Sequence, residues 1–310
     1  MARRSLTLAR RESRDGRLLL TPTLLVVALV VVVPFLGTLW FAFQDLRLID
    51  IPSLSVLDFE PTLENFERVF STSGFWTALR TTVLYALCCT IVSIGAGLVL
   101  ALAMRRPFRG RGPIRALVLI PYVLPVVAAT TSWQALLNPQ FGPVNAIGMR
   151  FLGWEEPINF LSTGTYDVSG LPVPLAFLCI VAFEMWKTAP LAFLFITARL
   201  QAVPRDLEEA ALIDGASPLQ SFRHVVLPEL RGVILLLAVL RFIWSFQNFN
   251  DPYLLTRGAG GTELLPIRIY NELIGRANVG TASALGLVLT VLLAGLLVVY
   301  VRMSRSREQS

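Results

Sequence analysis

The sequence predicts an all-α, polytopic integral membrane protein of about six transmembrane helices. Three observations lead there. Hydrophobic residues make up 55% of the 310-residue chain, charged residues only 15%, and the mean hydropathy is +0.64, which is far too apolar for a soluble domain of this size. Several apolar stretches reach the length of about 20 residues that a helix needs to cross a bilayer. Basic residues flank those stretches on alternate sides, and no separate soluble domain remains, so 1–310 reads as one membrane-spanning domain.

The first stretch, about 18–43, follows a tail (1–17) carrying Arg3, Arg4, Arg10, Arg11, Arg14 and Arg17. A basic start before an apolar run imitates a secretory signal, whose core spans about 7–15 residues. This run is longer and lacks a small-residue cleavage site, so it reads as a retained span. Further spans fall at about 75–104, 114–136, 173–198, 231–256 and 279–302. The tails and the loops after spans two and four carry 18 arginines. The opposite loops carry six: Arg47, Arg68, Arg150, Arg257, Arg268 and Arg276. By the positive-inside rule both termini face the cytoplasm of a bacterial cell membrane. The net charge of +6 is then a topology signal, because a nucleic-acid partner would require the basic residues gathered on one folded face.

Enzymatic and metal chemistry find little support. Cys88 and Cys89 lie inside span two and Cys179 inside span four, where small apolar packing is their role, and His224 is the single histidine. The one lysine, Lys187, precedes Thr188, but Glu184-Met185-Trp186 stand where a phosphate-binding loop needs glycines. The chain is expected to bind no metal and no cofactor of its own.

The loop after span four, about 199–230, is too long for a connector and has local structure of its own. Pro204 suits a first helical turn, and Asp206, Glu208 and Glu209 place negative charge at the positive end of that helix. Gly215 can close it in a left-handed cap, and Ser217-Pro218 opens a second short helix. Leu207, Ala210 and Ala211 share one face of the first, and Leu219, Phe222 and Val226 one face of the second. A bent helix pair projecting from the membrane is expected.

The run Glu209-Ala210-Ala211-Leu212-Ile213-Asp214-Gly215-Ala216-Ser217, with Leu227-Pro228 beyond it, resembles the EAA loop of bacterial ABC-importer permeases, in particular the carbohydrate-importer version. Val225 stands in place of the usual isoleucine, and Arg231-Gly232 where a further proline often follows. The resemblance covers most of the chain. Thr62 to Phe66 with Phe75 to Leu79 is similar to the approach to span two in maltose-type permeases, Trp186 to Pro190 to their span four, and Leu254 to Gly258 to the segment leaving span five. It implies a type I importer permease of the maltose or glycerol-phosphate kind. Its ATPase-coupling residues would be Glu209, Ala210, Ala211, Asp214, Gly215, Leu227 and Pro228. Its partners would be a second permease, two ATPase subunits that hold ATP and Mg, an extracytoplasmic solute-binding protein, a carbohydrate substrate and membrane lipid, with no nucleic acid.

In span five Trp244, Asn248 and Asp251 recur at i, i+4, i+7, flanked by Gln247 and Asn250. Such a stripe offers amide, carboxylate and aromatic groups for sugar hydroxyls and ring faces; inter-helix polar packing is the competing reading. Glu184 and Lys187, at i, i+3, are expected to neutralise each other within span four. Arg241 is expected to snorkel near the cytoplasmic end. Pro121, Pro125 and Pro190 free backbone carbonyls and are expected to kink spans three and four, as packing hinges or as gates. An ion-coupled secondary transporter would instead show inverted repeats and no docking loop.

Overall fold

The computed structural model describes residues 19–53, 59–168 and 170–308; the arginine-rich tail 1–17 lies outside them. In chain order the helices are α1 (Leu19–Ala42), α2 (Glu64–Ser71), α3 (Ser73–Ala103), α4 (Arg111–Val123), α5 (Val126–Leu136) and α6 (Pro143–Phe151). A two-stranded antiparallel hairpin follows, β1 (Tyr166–Val168) with β2 (Leu171–Val173), in register Tyr166 to Val173. Then come α7 (Leu175–Gln201), α8 (Arg205–Ile213), α9 (Leu227–Phe246), α10 (Asn250–Thr256), α11 (Leu265–Tyr270) and α12 (Val279–Glu308).

Among the described residues, four helices are long and apolar enough to cross a membrane: α1, α3, α7 and the Val279–Val298 part of α12. α4 and α5 make a fifth candidate, bent by 101°. The bend falls at Leu124-Pro125, where proline forbids the helical conformation of the residue before it and has no N–H to donate. Of the three prolines expected to kink spans three and four, Pro121 and Pro190 are carried inside helices and Pro125 marks the break.

The expected span 231–256 is corrected. It is not one helix: α9 ends at Phe246, α10 starts at Asn250, and α9 carries Glu229, Arg231 and Arg241. Pro252 accounts for the break, since it cannot donate to Asn248 and its ring crowds that carbonyl in a continuous helix. The same chemistry shapes two other helices without breaking them. Five-residue π turns occur at Ala28–Val32 and Phe222–Val226, just before Pro34 and Pro228. Each contains the carbonyl four residues before the proline, so the widened turn relieves the clash.

Contacts divide the chain into two compact units, Met1–Thr72 with Ile269–Leu296, and Ser73–Arg268 with Leu297–Ser310. In the first, Asn65 is fully buried, and its Nδ2 donates to the carbonyls of Ala42 (3.1 Å) and Gln44 (2.7 Å) while its Oδ1 accepts from Thr281 Oγ1 at 3.2 Å. A short antiparallel bridge, Arg47 with Asn278, ties the segment after α1 to the start of α12.

In the second unit α3, α7 and α9 pack together around Ile94, Phe193, Ile196, Leu230 and Leu237. The α3–α7 crossing is close because Gly97 has no side chain: a Cβ there would lie 2.6 Å from Ala192 Cβ and 2.7 Å from the Phe193 nitrogen. Beside it Ser93 and Thr188 share a hydroxyl hydrogen bond of 2.9 Å. Small residues let membrane helices approach until such bonds form.

Candidate functional site

Four charged side chains meet where α3, α7, α9 and α10 converge. Arg241 Nη2 donates to Glu184 Oε1 at 2.7 Å, with both side chains almost fully buried. Lys187 Nζ donates to Asp251 Oδ1 at 2.6 Å. Asn248 links the two pairs, its Nδ2 reaching Glu184 Oε2 (3.2 Å), Asp251 Oδ2 (3.1 Å) and Tyr85 Oη (3.4 Å). Two cations face two anions, so the cluster is charge-balanced, which is the condition under which such groups persist away from water.

Two expectations from the sequence fail here for one reason. Glu184 and Lys187 do not neutralise each other, and Arg241 does not snorkel: only 3% of Arg241 is exposed. Glu184 takes its cation from α9 and Lys187 its anion from α10, because the break after Phe246 redirects Asp251 towards α7. Partners 57 and 64 positions apart leave no periodic trace in a sequence.

The same break divides the stripe read on span five. Asn248 and Asp251 enter the cluster, whereas Trp244, Gln247 and Asn250 are exposed outside it. Aromatic surface near the cluster comes instead from Trp133, Phe183 and Trp186, whose centroids lie 5.5–5.9 Å apart. Lys187 Nζ sits 5.9 Å from the Phe183 ring centre. The sequence signals that point to the cluster are the charges inside apolar helices; Tyr85 has no such signal.

The loop between α7 and α9 is built largely as its sequence predicts. Gly215 has φ of +79°, and the Ala216 N–H donates back to the Ala211 carbonyl at 2.9 Å, closing α8 with a Schellman turn. Ser217 then caps the next helix reciprocally with Gln220: the Ser217 N–H donates to Gln220 Oε1 at 2.7 Å and the Gln220 N–H to Ser217 Oγ at 3.4 Å. One feature differs. The second helix is not a separate short element, since Pro218–Ser221 and the π turn run directly into α9. At the base, Arg199 donates to the Glu229 carbonyl (3.0 Å) and carboxylate (2.6 Å), joining the end of α7 to the start of α9.

Glu209, Ala210, Asp214 and Gly215 are exposed and Ala211 is half-buried, all on α8 and its cap; Leu227 (half-buried) and Pro228 (exposed) open α9. The apolar face of this projection is only partly covered. Val226 is buried, but Leu207, Ile213 and Leu219 are exposed by 47%, 86% and 74%, which leaves a hydrophobic patch around the Gly215 turn.

Apolar helices long enough to span a bilayer, a charge-balanced buried cluster and a capped helical projection together define a multi-pass membrane protein of the transport class. Residues 93–308 match the family described as binding-protein-dependent transport system inner membrane component, and the chain belongs to that family. It is 33% identical over 303 residues to the trehalose/maltose transport system permease protein MalF of Thermococcus litoralis, covering 96% of each chain. It is 31% identical to the sulfoquinovosyl glycerol transport system permease protein SmoG of Agrobacterium fabrum, covering 94% of this chain and 90% of that one. In fold it is similar to a chain of a bacterial ABC transporter that imports the acidic polysaccharide alginate, with a TM-score of 0.77, 18% identity and coverage of 97% and 99%.

Proposed function

We propose that this chain is the pathway-forming permease of an ATP-driven carbohydrate importer. It would work with a second permease, two ATPase subunits that hold ATP and Mg, and an external solute-binding protein, with both termini in the cytoplasm. The observation that carries the reading is the α8–α9 projection. A rigid turn, capped on both sides of Gly215 and anchored through Arg199 and Glu229, presents Ile213 and Leu219 to solvent. Such a lever can pass a partner's movement to α7 and α9, which hold the charged cluster between them. Closure of the ATPases would then rock the permeases about the pathway, with no chemistry in this chain.

The relatives' names support carbohydrate as the cargo, and the cluster's charge balance favours a neutral sugar over a glycerol phosphate. Both cations already have carboxylate partners, so a phosphate would have to break an ion pair to find one. Asn248 and Asp251 are the groups proposed to meet sugar hydroxyls.

The test is the complete importer in proteoliposomes, assayed with neutral disaccharides and with sn-glycerol 3-phosphate. ATP-dependent uptake of a neutral sugar is expected, together with loss of sugar-stimulated hydrolysis in Glu209→Lys and Gly215→Val. Uptake confined to glycerol phosphate would overturn the cargo, and parental stimulated hydrolysis in both variants would overturn the coupling role.

A further inference from the structure

A second polar site lies away from the charged cluster and shares none of its residues. Where α3 and α7 end and α4 begins, a cavity of about 180 Å³ is lined by Ala101, Arg105, Arg111, Thr197, Leu200 and Gln201. It is basic and hydroxylated, and none of its lining residues carries a carboxylate. An adjoining cavity of about 380 Å³ shares Arg105 and is lined by Arg106, with Pro218, Ser221 and Phe222 at the root of the α8–α9 projection.

The buried polar atoms around it are unmatched. Arg111 and Arg115 are half-buried, but Arg111 Nε, Thr197 Oγ1 and both Nε and Nη2 of the neighbouring Arg115 are shielded from solvent and have no hydrogen-bond partner among the described residues. Orphaned guanidinium donors are costly to bury. Arg199, near the end of α7 and more exposed, is matched by Glu229. The two helices that carry Arg111 and Thr197 also expose apolar side chains: Ile114, Leu117 and Ile120 on α4, with Leu194 and Phe195 on α7, are all at least 40% exposed. The charge bias of the sequence assigns this level to the cytoplasmic face of the membrane.

We propose that Arg111, Arg115 and Thr197 form a binding site for a phosphate-bearing anion, with the anionic phospholipid headgroup as its source at this level of the membrane. A headgroup phosphate would give the guanidinium and hydroxyl donors the acceptor oxygens they lack. Its acyl chains would lie over Leu117 and Ile120. Basic pockets at the cytoplasmic ends of membrane helices suit such headgroups. The site stands independently of which solute the importer carries.

The experiment is native mass spectrometry of the purified complex after titration with phosphatidylglycerol, with phosphatidylcholine, or with inorganic phosphate. Saturable retention of phosphatidylglycerol over phosphatidylcholine is expected, weakened about tenfold or more in Arg111→Gln and in Arg115→Gln, as befits the loss of one charge-assisted bond. Arg109→Gln, at an exposed arginine in the turn just before α4, should bind as the parent does. Retention of inorganic phosphate with the same arginine dependence, and without phosphatidylglycerol preference, would keep the anion site and move its source to soluble phosphate. If the variants fail to assemble, a photoactivatable phosphatidylglycerol on the unaltered complex decides: labelling of peptides 105–123 and 194–203 supports the site. Equal retention of both lipids with no phosphate binding, or labelling spread evenly over the other helices, overturns it.

Discussion

Removing Arg241 should destabilise this protein by leaving Glu184 buried without its cation. The Arg241→Met variant keeps the bulk and apolar stem of the side chain but deletes the 2.7 Å bond to Glu184 and a 3.3 Å bond to Ser245. Both members of the ion pair are nearly inaccessible, at 4% and 3% side-chain exposure, so solvent cannot rescue the carboxylate left behind. At that separation and an effective dielectric constant of about 20, the gross attraction is roughly 6 kcal/mol. After desolvation, breaking one side of such a pair costs about 3–5 kcal/mol. Glu184 keeps one donor, Asn248 at 3.2 Å, which places the loss towards the lower end. At an unfolding entropy of about 2.1 cal/mol/K per residue, a 310-residue chain shifts by roughly 1.5 °C per kcal/mol, so the complex should lose about 5 °C of thermal stability. The assay is the fraction of detergent-solubilised complex still eluting as assembled after stepwise heating. A second variant separates the ion pair from mere packing. Glu184→Leu combined with Arg241→Met removes both charges, and apolar replacement of a whole buried pair is commonly neutral or stabilising. The double variant should therefore recover most of the lost stability, because Asn248 retains Tyr85 and Asp251 as partners. Parental stability in the single variant, or a double variant no better than the single, would refute this account of what holds α7 to α9.

Asn248→Ala should lower sugar uptake or shift its preference while leaving assembly and basal ATP hydrolysis intact, with about 1–3 kcal/mol lost per buried hydrogen bond, whereas Asp251→Ala strands Lys187, its 2.6 Å partner, and should lower stability as well as uptake; unchanged uptake across a sugar panel in Asn248→Ala would remove that residue from the pathway. Gly97→Leu should prevent correct assembly, since even a Cβ would stand 2.6 Å from Ala192, and a normal yield of complex would contradict the close α3–α7 crossing. At Gly215 the surroundings are open, so Gly215→Val acts through its φ of +79° at about 1–2 kcal/mol; expression should stay normal while ATPase association, read by co-purification, falls. Reporter fusions near Ser217 and at Ser310 should register cytoplasm and one near Gly153 the outside, and an outside signal at Ser217 would refute the docking role of the projection.

Much of this protein is decided locally, and that part can be read from the chain alone. Span length and apolarity depend on composition over about 20 residues, so α1, α3, α7 and the apolar part of α12 are visible without a structure. The Gly215 turn and the Ser217 cap are equally local, because their hydrogen bonds join residues at most five apart. Even the break of span five had a signal in Pro252 that outweighed the polar periodicity of Trp244, Asn248 and Asp251. Only the tertiary structure decides which charges pair. Glu184 lies three residues from Lys187 yet bonds Arg241, and Lys187 bonds Asp251, because the packing of α3, α7 and α9 and the redirection of α10 bring those groups within 3 Å. The unmatched donors of Arg111 and Arg115 likewise emerge only once α4 lies against α7. A sequence records that a buried charge needs a partner; which partner it finds is set by helix contacts between residues far apart in the chain.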